Sequence, residues 1–162
     1  MHSTGAAFTL LPSRRAISYL VNAHCYGREA MRNRPTLTSS DAQKMMAACK
    51  AEAAKHDFIV SIAIVDDGGY LLQLERADGA HLESPGIATL KARTAAVSRQ
   101  STQYWEQRVE ERKGFLALSG FIPLQGGIPL LHQGQCVGGI GVSGVTSPQC
   151  EQIARAGAAV LG

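Results

Sequence analysis

Gly126, Gly127, Gly134, Gly138, Gly139, Gly141 and Gly144 crowd one stretch of this sequence. Apolar residues interleave with them, so Ile128 to His132 and Gln135 to Ser143 read as two strands turning at Gln133-Gly134. Glycine weakens a strand interior and is kept where another backbone must come close. The run therefore predicts a hairpin whose bare surface receives a helix or another subunit.

Gly139-Ile140-Gly141-Val142-Ser143-Gly144 also matches G-x-G-x-x-G between a strand and a helix. A dinucleotide site needs a following strand and an acidic residue about 20 positions on. The residues from Ser147 to Leu161 read as a helix instead, so the run is taken as packing and not as a phosphate cradle. A nucleophile elbow fails as well, because G-x-S-x-G requires glycine where Val145 stands.

Upstream, Thr38 can cap a helix, with Asp41 completing a capping box. Ala42, Met45, Met46, Cys49 and Ala53 then recur at helical spacing as a buried face, and the helix should end near His56. Ile59 to Asp66 alternates Val60, Ile62 and Ile64 with Ser61, Ala63 and Val65. Asp66-Asp67-Gly68-Gly69 supplies a turn and Tyr70 to Arg76 a returning strand. After the loop Ala77 to Glu83, Ser84 and Pro85 read as N-cap and first turn of a helix with Ile87, Leu90, Thr94 and Val97 inward. Thr102 to Lys113 is a charged helical piece ended by Gly114. Ser147-Pro148 repeats the cap-and-proline signal before a helix burying Ile153, Ala156, Val160 and Leu161. The order helix, hairpin, helices, hairpin, helix implies an α/β fold of the α+β type, an antiparallel sheet built from hairpins and covered by helices.

A chain of 162 residues, 45% hydrophobic and 18% charged, suits one globular domain. The net charge of +3 arises in residues 1–40, where Arg14, Arg15, Arg28, Arg32 and Arg34 face only Glu29. The body is close to neutral, so no nucleic-acid surface is expected. Residues 1–30 read as an extension, either a non-native start or a disordered leader. Met31 is then the expected start, and residues 31–162 form the domain. Ile17 to Tyr26, broken by Asn22 and His24, makes a poor signal peptide, and no apolar stretch is long enough for a membrane span. Cys25, Cys49, Cys136 and Cys150 contain no C-x-x-C and read as reduced, buried thiols of a cytoplasmic protein.

His132 and Cys136 are near in sequence, but a two-residue turn at Gln133-Gly134 places them on opposite faces, which excludes a shared metal. His132 alone can ligate a haem iron or be an ordinary edge histidine. The loop Glu75 to Glu83 gathers charge between a strand and a helix. Its His81 can bind iron or transfer a proton, while Arg76 can simply pair with Asp78 or Glu83. Lys91 and Arg93, flanking the expected buried stripe, are either solvated charges or holders of a carboxylate.

Several segments together resemble one family, the GlcG/HbpS-like proteins, which also occur as the C-terminal domain of PduO-type proteins. They include Pro35-Thr36-Leu37-Thr38, Ile62-Ala63-Ile64-Val65-Asp66-Asp67-Gly68-Gly69 and Leu74-Glu75-Arg76-Ala77-Asp78-Gly79-Ala80. Ile87-Ala88, Lys91-Ala92-Arg93-Thr94-Ala95-Ala96, Gly126-Gly127-Ile128-Pro129, the run from Gly138 to Gly144, and Ile153-Ala154-Arg155-Ala156-Gly157 follow in the family's order. The resemblance implies a profilin-like sandwich, homo-oligomers, and a haem or other small-molecule ligand. It fixes no axial ligand. Cys150 stands where relatives often carry an acid, and as an exposed thiolate it could also ligate.

The expected function is a small-ligand-binding oligomer, most simply for haem, accessory to a catabolic pathway. Lys91 or Arg93 would hold a propionate and His81 or His132 the iron. The alternatives are a hydratase or isomerase for a small organic acid or reactive ring-cleavage intermediate, with His81 or Glu83 moving the proton and Arg93 holding a carboxylate, and an oligomer without a cofactor.

Overall fold

The computed structural model describes residues 33–161; the leader, Met31 and Cys25 lie outside the described residues. From Arg34 onward the chain forms one compact unit. Its elements are α1 (Ser39–Ala54), β1 (Ser61–Asp66), β2 (Leu71–Arg76), α2 (Ser84–Ser98), α3 (Thr102–Glu111), β3 (Gly127–His132), β4 (Gln135–Ser143) and α4 (Ser147–Ala158). Short 3-10 turns follow α3 at Lys113–Ala117 and α4 at Ala159–Leu161.

The α1 helix starts on the expected box. The Asp41 amide donates to Thr38 Oγ1 at 3.2 Å and the Thr38 amide to Asp41 Oδ2 at 3.0 Å, so two orphan donors are satisfied. Its buried face is Ala42, Met45, Met46, Cys49 and Ala53, as the spacing predicts, and it ends at Ala54, just short of His56.

The four strands form one antiparallel sheet in the order β2-β1-β4-β3. Two hairpins thus join through their inner strands. Gln133 and Gly134 both take positive φ, 49° and 76°, the two-residue turn that matches strand twist. Val60, Ile62 and Ile64 enter the core shared with α1 and α4, while Ala63 and Val65 pack with Ala88, Ala92 and Ala96 of α2. Helices therefore cover both faces of the sheet.

The orientation of α2 corrects the sequence reading. Leu90 is 40% and Val97 44% exposed, and Ile87 is only half-buried. The buried face is Ala88, Lys91, Ala92, Thr94, Ala95 and Ala96. The cause lies across the interface: a Cβ on Gly141 would run into the Ala88 carbonyl and the Ala92 amide, and one on Gly139 into the Ala92 carbonyl. Helix backbone rests on bare strand, leaving room for alanine and none for leucine.

Three boundaries shift for local reasons. Ser84 is not the cap of α2 but its first residue; its hydroxyl donates to the His81 carbonyl at 2.7 Å and lies 2.8 Å from buried Ser61 Oγ. Thr146 caps α4 in place of Ser147, with Gln149 Oε1 accepting from both the Thr146 amide and hydroxyl. Gly114 falls inside the 3-10 turn after α3 has ended. The inward face of α4 is Cys150, Glu151, Ile153, Ala154 and Gly157, and the terminal 3-10 turn carries Val160 outward, 42% exposed.

Candidate functional site

A cleft of about 300 Å³ opens where Pro35, Thr36 and Leu37 pass the β3–β4 hairpin. Asp41 of α1, His132 at the end of β3, Val137 of β4 and the terminal Val160 and Leu161 complete its wall. The pairing of Leu131 with Cys136 and of His132 with Gln135 puts His132 on the α1 side of the sheet and Cys136 on the α2 side. Cys136 Sγ accordingly donates to the Ala96 carbonyl of α2 at 3.5 Å. Asp41 is held below its ordinary 3.8 by hydrogen bonds from Thr38, with Lys44 and His132 adding smaller attractions. The cleft thus combines aliphatic walls, one imidazole and a carboxylate fixed in a helix cap.

Lys91 lies elsewhere, on the opposite face of the sheet and turned inward. It is only 4% exposed, and its ammonium donates to the Val142 carbonyl at 3.1 Å. Burial lowers its affinity for a proton, while Cys150 and Glu106 raise it. Gly126 sits against it, since a Cβ there would come within 3.1 Å of Lys91 Nζ and 2.7 Å of Cys150 Cβ. Beside this point buried Thr102 accepts from the Gly127 amide at 2.7 Å. Lys91 is therefore neither a solvated flank charge nor a surface cation. Cys150 is fully buried, its Sγ donating to the Val145 carbonyl at 3.4 Å, so the condition for an exposed thiolate ligand fails.

His81 and Glu83 are exposed in the loop before α2, and Arg76 makes no ion pair with Asp78 or Glu83. Arg93 sits nine residues along the helix from Ser84, roughly 14 Å at the α-helical rise. Its stem crosses the β1–β2 turn, where a Cβ on Gly69 would meet Arg93 Cγ at 2.8 Å. The fold thus brings His81, Lys91 and Arg93 to the α2 side and His132 to the other, so a single ligand in one chain cannot contact all four. Asp41, Thr102 and Glu106 were not expected near either location. The small-residue face of α2 was the available signal for Lys91, because Lys91 falls on the same helical face as Ala88, Ala92 and Ala95.

An antiparallel sheet between helix layers, with a cleft at its edge that carries His132, defines an α+β protein. Residues 37–159 match the family described as haem degrading protein HbpS-like, and the chain belongs to that family. It is similar to the protein GlcG of Escherichia coli K12, 41% identical over 114 residues that cover 70% of this chain and 85% of that protein. Among solved structures it resembles HbpS, with TM-score 0.77 and 37% identity over 82% of this chain and 94% of that one. It also resembles the PduOC haem complex, with TM-score 0.73 and 25% identity over 79% and 96%. No helix among the described residues is long and apolar enough to cross a membrane.

Proposed function

We propose that the protein binds haem in the cleft between the Pro35–Leu37 segment, α1 and the β3–β4 hairpin. The observation that carries this reading is the His132 imidazole set among Leu37, Val137, Val160 and Leu161 in one concave wall. Membership in a family described by haem, and likeness to a protein solved as a haem complex, support it. The cleft, of about 300 Å³, lies at the lower end of the roughly 300–1,000 Å³ range of ligand pockets. Bound haem supplies an iron centre. The chain's part is to present His132 to it and to shield one edge with aliphatic side chains.

Lys91 and Arg93 lie across the sheet and cannot hold the propionates of a ligand at His132 in the same chain. Lys44, an exposed residue of α1 whose charge acts on Asp41, is a cation near the cleft. His81, in an exposed loop, is the weaker iron ligand. Hemin titration of the purified protein, followed by Soret absorbance, tests the reading: saturable binding supports it and unsaturable, nonspecific absorbance removes it.

The reading includes a homo-oligomer. Leu74 lies on the Ala63 side of the sheet, and Leu90, Arg93 and Val97 share the flank of α2 that meets the Gly69 turn. Leu74 and Leu90 are each 40% exposed, leaving an apolar strip along β2 and α2 that a second copy can cover.

A further inference from the structure

The least economical feature of the fold is a lysine amine beneath the Gln125–Gly127 segment. An ammonium has three donors, yet Lys91 finds one acceptor, Val142 O. That acceptor is free because Gly126, at φ 121°, accepts from the Val142 amide at 3.0 Å without donating back. A neutral donor could cap the same carbonyl without burying a charge. Among the described residues no carboxylate stands within ion-pair distance of Lys91. Glu106 is nevertheless close enough to act on it electrostatically, and Cys150 and Thr102, both fully buried, complete the cluster.

We propose that Lys91 is a covalent site for a small carbonyl compound, an aldehyde or a 2-oxo acid, which its amine captures as an imine. Desolvation favours the neutral, nucleophilic amine, as it does in lysines that form Schiff bases. The tight packing around Nζ limits the ligand to a few heavy atoms. Entry requires the chain segment 119–126 to lift. That segment is pinned by the Ile122 amide on Thr94 Oγ1 at 2.9 Å and the Gln125 amide on Glu106 Oε2 at 3.2 Å.

The step balances without an oxidant. The Lys91 Nζ lone pair attacks the carbonyl carbon, the C–N bond forms and the carbonyl π pair moves to oxygen. A proton passes from nitrogen to that oxygen, and a second transfer from nitrogen expels it as water, leaving C=N. Amine plus carbonyl becomes imine plus water.

The test uses the full chain with glyoxylate and cyanoborohydride, which traps the imine as a carboxymethyl group, followed by peptide mapping. Lys44, Lys50, Lys55 and Lys113, all exposed, serve as internal controls. The expected result is labelling at Lys91 severalfold faster than at any control, with its pH midpoint below theirs. Glu106→Gln, which removes a charge that raises the proton affinity of the amine, should speed labelling at Lys91 alone. Labelling spread over the four exposed lysines with Lys91 spared, or a rate at Lys91 no faster than theirs, overturns the proposal.

Discussion

The Ala88 carbonyl lies directly over the α-carbon of Gly141, so that any side chain at Gly141 would overlap helix backbone. This contact joins α2 to β4 and sets the spacing of one whole layer. Gly141→Ala should therefore cost about 3 kcal/mol, the upper part of the usual range for overpacking. Gly134→Ala, at φ 76° in a turn with open space around it, should cost about 1 kcal/mol from backbone strain alone. Urea unfolding of both variants measures the difference, and equal losses would show that the layer can separate freely.

Lys91 makes stability depend on pH in a defined direction. Its folded-state proton affinity lies below the ordinary 10.5, so between the two values the unfolded chain holds a proton that the folded chain has released. Stability must then rise with pH through that window, as the burial penalty of the charge is relieved. The gain of wild type relative to Lys91→Met should grow as the pH rises towards 10.5. Cys49, whose thiol burial pushes from 9.0 up to about 12, has the opposite slope above 9.0, but it is common to both proteins and cancels. Paired denaturation curves across this range check the sign.

The thiols should separate by burial. Cys49 and Cys150 are fully buried, whereas Cys136 is partly exposed. Among the described residues, a thiol reagent added to native protein should label Cys136 before Cys49 and Cys150, which react only on unfolding. Peptide mapping over time reads the order directly.

Charge on the apolar strip should dissolve the proposed oligomer. Leu90→Asp leaves the Ala88 face of α2 untouched, so folding should persist while the sedimentation coefficient falls to that of a monomer. An unchanged coefficient would contradict the proposed interface.

Much of this architecture is legible in the sequence. The capping box at Thr38 and Asp41, the Gln133-Gly134 turn and the packing role of the glycines each follow from local rules that tertiary structure did not override. The face of α2 did not follow, because hydrophobic periodicity favours the largest apolar residues. At Ala88 and Ala92 the deciding factor was the absence of Cβ atoms on Gly139 and Gly141, strands away in sequence. The cleft is legible only in its histidine: Asp41 satisfies a helix cap, and nothing local brings α1 to the end of β3. Lys91 looked like a flank charge for the same reason that α2 looked rotated.

The central claim is that His132 presents an imidazole to haem iron in the cleft beside Asp41. Hemin titration of wild type, His132→Ala and His81→Ala under one set of conditions tests it most directly. The account predicts a saturable Soret shift in wild type and His81→Ala that is lost or displaced in His132→Ala, with circular dichroism unchanged. A shift that survives intact in His132→Ala, or that disappears only in His81→Ala, would contradict it.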